Sequence, residues 1–203
     1  MYMSLFCLLW MPLFYLFWRS ISSNTNLLAG VIAVLAGCAA VLIQYFVGNF
    51  IDPGEFGFER WLSGCVDIVV LPALIPFVVY ILLIIFKVIP EPFEFAHFAQ
   101  LWLIPATVVR AFTWSSQNDP IILILVPVLW TGISIGLPFF INLILNCKKW
   151  VIFPCSLGIL IVPFAAASSY WAFFAHKSNL GFLFLLAAIA PMIVSTVLQL
   201  NKN

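Results

Sequence analysis

The sequence predicts an all-α fold: a polytopic helical membrane bundle of about seven transmembrane helices, with a short interfacial helix after the second. Three observations carry this prediction. Hydrophobic residues make up 65 % of the chain and charged ones 7 %, where soluble domains carry about a quarter. Apolar runs close to or above the ~18–20 residues that cross a bilayer recur along the whole length. With no water in the hydrocarbon core, their backbone has to hydrogen-bond within itself, as a helix does. Continuous apolar blocks such as Ile121–Val126 also break the alternation that a transmembrane barrel requires.

The first run, residues 2–18, is closed by Arg19. It has no basic start and no small-residue cleavage site, so it reads as a retained anchor rather than a signal peptide. The second span, residues 27–51, carries Ala29, Ala33 and Gly37 at four-residue spacing, with Ala36 and Ala40 on a neighbouring stripe. Small residues at that spacing let another helix come close. The partner is either a helix of the same chain, the favoured reading, or a second protein.

Asp52-Pro53-Gly54-Glu55 is a helix start, with an acid at the N-cap, proline at the first turn and an acid two residues on. The Phe56–Leu62 segment mixes aromatic rings with Glu59 and Arg60 and is too short to span, which suits an interfacial helix. The third span, residues 65–87, contains Asp67, Pro72 and Pro76. Glu91-Pro92-Phe93-Glu94 repeats the start signal and opens a fourth span, residues 92–114, where Pro105 predicts a bend. Asp119-Pro120 opens the fifth, residues 121–146, which Pro127, Gly132, Gly136 and Pro138 interrupt. The sixth covers residues 150–175 and the seventh 180–200. No linker is long enough to divide the chain, so residues 1–203 form a single membrane domain.

All seven carboxylates lie between Asp52 and Asp119. Counted over seven spans, Arg19, Lys87, Lys148, Lys149 and Lys202 fall on one side and Arg60, Arg110 and Lys177 on the other. That bias makes the first side cytoplasmic, with the N-terminus outside and the C-terminus inside, most simply in a bacterial inner membrane. The charge balance offers no basic cluster to track phosphates, so nucleic acid is not an expected partner. The five cysteines form no CxxC pair and sit mostly in apolar runs, as small, buried, inert side chains do.

Helix starts account for most of the acids. Glu91, Glu94 and His97 could bind a divalent metal, but their spacing spreads the ligands around the helix. The favoured role for the two acids is the helix N-terminus, with His97 at headgroup level and no metal or other cofactor. Asp67 and Arg110 remain, each inside a span, where a charge is costly and by default marks a site. The competing reading is that both snorkel to water from near a helix end. Asp67 lies about 30 Å along one helix from the short link between the third and fourth spans, and Arg110 about 27 Å along the other. These helices should be antiparallel neighbours, so the two charges should meet at similar depth, or share a pocket with Glu59 or Arg60.

No phosphate loop, HExxH, GxSxG or Ser/Lys arrangement is present, and the chain is expected not to be an enzyme. Two function classes remain. One is a membrane-embedded subunit or scaffold, partnered by lipid and by other membrane subunits or itself, since 21 phenylalanines and eight tryptophans give it ample contact surface. The other is a small secondary transporter or channel that uses Asp67 and Arg110 in proline-broken helices.

Overall fold

A computed structural model describes residues 2–21, 26–48, 58–89, 94–113, 120–146 and 149–201, and every regular element among them is helical. In chain order these are α1 (Tyr2–Ile21), α2 (Leu27–Gly48), α3 (Phe58–Cys65), a π-helical stretch (Val66–Leu74), α4 (Ile75–Ile85), α5 (Phe95–Thr113), α6 (Pro120–Asn146), α7 (Lys149–Phe174) and α8 (Ser178–Leu200). Seven helical stretches are long and apolar enough to cross a membrane, the third being the run through α3, the π stretch and α4. The chain is an all-α, multi-pass integral membrane protein.

Local chemistry sets several boundaries. Asn26 caps α2, its Oδ1 accepting from the backbone N–H groups of Leu28 at 2.9 Å and Ala29 at 3.3 Å. α4 and α7 both end with a residue in the left-handed region, Lys87 and His176, each at φ 56°. At each end two backbone bonds close the turn. Lys87 N–H donates to the Ile84 carbonyl and Val88 N–H to that of Leu83; His176 pairs in the same way with Phe173, and Lys177 with Ala172. This is the closure usually built around glycine.

The segment expected to form a separate interfacial helix behaves differently. From Phe58 it runs without an intervening loop into the third span, and Cys65 at the junction has ordinary helical angles of φ −61° and ψ −41°. Trp61 explains the continuity: its indole donates to Ser168 Oγ of α7 at 3.2 Å, so the first turns of the helix are already packed on the bundle. Residues 51–57 and 90–93, with the helix starts expected there, lie outside the described residues.

α5 and α6 form the interior, with 61 % and 78 % of their spans buried against 17 % for α1 and α2. The core between them and their neighbours contains Phe98, Trp102, Leu103, Leu129, Ile133 and Ala166. The small-residue stripe of α2 belongs to this packing. Ala29 and Ala33 are fully buried, and a Cβ added to Gly37 would sit 2.3 Å from the Trp102 carbonyl oxygen of α5. The stripe is therefore taken up within the chain, which corrects its alternative reading as a seam for a second protein.

Candidate functional site

Pro72 and Pro76, four residues apart, remove two backbone donors from the third span. The helix around them winds as a nine-residue π-helix, Val66–Leu74, in which Ile75 N–H reaches back five residues to the Val70 carbonyl. In that register the carbonyl of Asp67 faces residue 72, a proline with no N–H to give. Trp130 of α6 supplies the missing donor, its indole Nε1–H reaching the Asp67 carbonyl oxygen at 3.3 Å. The break in the backbone is thus satisfied from a neighbouring helix, as buried backbone groups must be.

The side chain of Asp67 is held from two further helices. Arg110 of α5 donates from Nη2 to Asp67 Oδ2 at 2.7 Å, and Gln44 of α2 donates from Nε2 to Oδ1. The guanidinium also lies over the Trp130 ring, 5.0 Å from its centroid. Four helical segments therefore meet at Asp67: α2 and α5 bond its carboxylate through Gln44 and Arg110, α6 bonds its backbone carbonyl through Trp130, and the π stretch carries the residue itself. The arginine side chain is 7 % exposed and the aspartate 21 %, so the pair is closed on the arginine side and partly open on the other. A charge-assisted bond at this distance in a low-dielectric interior is strong, and breaking it from one side leaves a lone charge there.

The other residues singled out from the sequence are scattered. Glu59 is exposed on α3, and the Arg60 side chain lies outside the described residues. Among the described residues, Gln44 and Trp130 share the polar centre with the pair. The pairing of two charges could be reasoned from depth along two helices. Trp130 could have been found only by asking which donor replaces the N–H that Pro72 lacks.

His97, in the first turn of α5, is fully buried within the bundle. Its ring stands edge-on to Tyr15 of α1 at 5.7 Å, and its Nε2 is 3.6 Å from Oε2 of Glu94. Among the described residues no three His, Cys, Asp or Glu side chains are grouped to hold a metal ion; Glu91 lies outside them. Of the cysteines, Cys7 is buried with its thiol donating to the Thr107 carbonyl at 3.7 Å. Cys38, expected to be buried, is exposed on the outer side of α2. The chain matches no protein-family model, no curated protein and no solved structure.

Proposed function

We propose that the chain is a non-enzymatic integral membrane subunit or scaffold of a larger membrane protein complex, set in a bacterial cytoplasmic membrane with its N-terminus outside. One observation carries this reading. The intramembrane charges are engaged with each other across four helical segments, as in a lock, while the outward faces are apolar and aromatic. Phe46, Phe153, Phe164 and Phe182 all point outward and are more than half exposed. An open groove of about 530 Å³ along α1, walled by Leu5, Phe6, Leu9, Leu13, Phe14 and Phe17, adds a surface that only lipid or an apolar helix fits. Extraction in mild detergent followed by sizing with light scattering tests the proposal. A protein mass well above the 22.8 kDa of one chain is expected. A monodisperse monomer with nothing bound would overturn it.

A second reading, a small secondary transporter or channel, is favoured by the π-helical stretch. A partly open carboxylate on a proline-interrupted helix is the kind of element that transporters use near the membrane midplane. In vesicles, solute or ion flux that Asp67→Asn abolishes would favour it over the scaffold reading; flux unchanged in that variant would remove Asp67 from any pathway.

A further inference from the structure

α5 carries a line of polar side chains of which the two readings use only Arg110. Glu94, His97, Gln100, Thr107 and Arg110 run along it, and Glu94 to Arg110 is a rise of roughly 24 Å, most of a hydrocarbon core. The middle of the line is closed: His97, Gln100 and Thr107 are fully buried. Its ends are two carboxylates that are each partly open, Glu94 at 23 % and Asp67, reached through Arg110, at 21 %.

Two other helices add polar groups along the same line. Ala111 shares a packed cluster with Leu123, and Ala96 shares one with Ile135, so α5 and α6 run antiparallel. That register places Ser134 near the level of His97 and Thr131 near that of Leu101, so that these two fully buried hydroxyls of α6 flank Gln100. α1 closes the third side. Its Trp10 indole donates to Thr131 Oγ1 at 3.1 Å, its Cys7 meets Thr107 and its Tyr15 meets His97.

Gln100 is the telling residue. Both polar atoms of its amide are buried and hydrogen-bond no protein atom. An amide placed in hydrocarbon without partners is among the costlier things a span can hold, and leucine would fill the same place without that penalty. Ser134 and Thr131 donate back to their own helix, to the carbonyls of Thr131 at 3.1 Å and Pro127 at 2.8 Å, and keep oxygen lone pairs for a further partner. The line thus has unused capacity for bound water along its middle.

We propose that α1, α5 and α6 enclose a proton path joining Glu94 at one face of the bundle to Asp67 near the other. A proton taken up by the Glu94 carboxylate passes to Nε2 of His97, and the imidazolium releases its other proton from Nδ1 into the line. Water oriented by the Gln100 amide and by the Ser134 and Thr131 hydroxyls passes it on by exchanging O–H bonds. It arrives on the Asp67 carboxylate, which becomes neutral and relaxes its hold on Arg110. Release from Asp67 to the far side restores the ion pair, and His97 resets by exchanging its tautomer; one proton enters and one leaves. A metal cation would need a shell of about six oxygen ligands, which one imidazole, one amide and a few hydroxyls do not supply. Rows of buried acids, histidines and polar groups are how membrane proteins relay protons.

The species extracted in mild detergent, with whatever accompanies it, is reconstituted into phosphatidylethanolamine–phosphatidylglycerol vesicles enclosing a pH-sensitive dye. A potassium gradient with valinomycin then drives protons inward. Acidification at least about tenfold faster than in protein-free vesicles is expected, with Gln100→Leu and Glu94→Gln each slowing it by about tenfold or more. Gln100→Leu should also melt at or above the wild-type temperature, so its loss of conduction is not a loss of fold. A wild-type rate equal to that of empty vesicles would overturn the proposal, and so would either variant conducting like the wild type. Sizing of the same material decides the subunit reading separately, so the two can fail independently.

Discussion

α2 and α5 are packed against each other and are opposites in every other respect. α2 shows apolar side chains such as Leu35, Leu42 and Phe46 on its outer side, and only 17 % of its span is buried. α5 is buried over 61 % of its span and carries His97, Gln100, Thr107 and Arg110 inside. In water the polar helix would be the outer one. In a bilayer lipid is as apolar as leucine, so burying Leu35 gains little, whereas a polar side chain gains by leaving the hydrocarbon for other polar groups. What joins two such unlike helices is shape: Gly37 lets the α2 backbone touch that of Trp102.

That contrast can be broken most severely at the charge pair. Asp67→Asn or Arg110→Gln alone should destabilise the detergent-solubilised protein by about 3–5 kcal/mol, with the double variant milder than the worse single one. A double-mutant cycle on thermal unfolding checks this, and strictly additive losses would show that the two charges do not act as a unit. Next comes the seam. Gly37→Leu should cost about 1–3 kcal/mol by forcing α2 off α5, whereas Leu35→Ala, on the exposed side of the same helix, should stay within about 0.5 kcal/mol. Equal effects at the two positions would mean that α2 is not held where described.

Trp130→Phe sharpens the comparison at the interior end. It keeps the ring near Arg110 but removes the donor to the Asp67 carbonyl, so a loss of about 1–3 kcal/mol is expected in the same melts. An unchanged midpoint would mean that the carbonyl freed by Pro72 finds another partner. The smallest effects lie at the turns, outside the contrast altogether. Lys87→Gly and His176→Gly should each stabilise by about 1 kcal/mol, because both residues hold a left-handed backbone that glycine adopts freely. A lower melting temperature in either would show that its side chain contributes more than its backbone costs.

The spans themselves were readable because each apolar run is bounded by a charge, a proline or an asparagine. The third span was readable only in part. Pro72 and Pro76 announce a break, yet two prolines four residues apart do not say whether the helix kinks, parts or widens into a π-helix. That outcome depends on Trp130 standing ready on α6 with a donor. The burial of His97 was hidden for a related reason: an imidazole three residues from Glu94 shows which helix end it sits on, but not that Tyr15 of α1 packs against it. The small-residue stripe told where a backbone would come close, but not whose. Residue-level chemistry along one helix was legible, and so was the Asp67–Arg110 pair, because a short link fixes the register of its two helices; contacts from helices distant in the chain were not.

The lengths of the interior helices have one more consequence. α5 has 19 residues and stands about 28 Å tall, close to a hydrocarbon core of ~30 Å, while α6 has 27 and measures about 40 Å. α6 is long enough to keep its apolar length in the hydrocarbon by tilting or by bending at Pro127 or Pro138, or to carry its ends into the headgroups. Its angle is set by packing against α5, α7 and α8, and the thickness of the lipid biases that packing. Trp130 rides near the middle of α6 and holds both the backbone and the charge partner of Asp67. A thinner bilayer favours more tilt in the helix that carries Trp130, so acyl-chain length bears on the polar centre through α6.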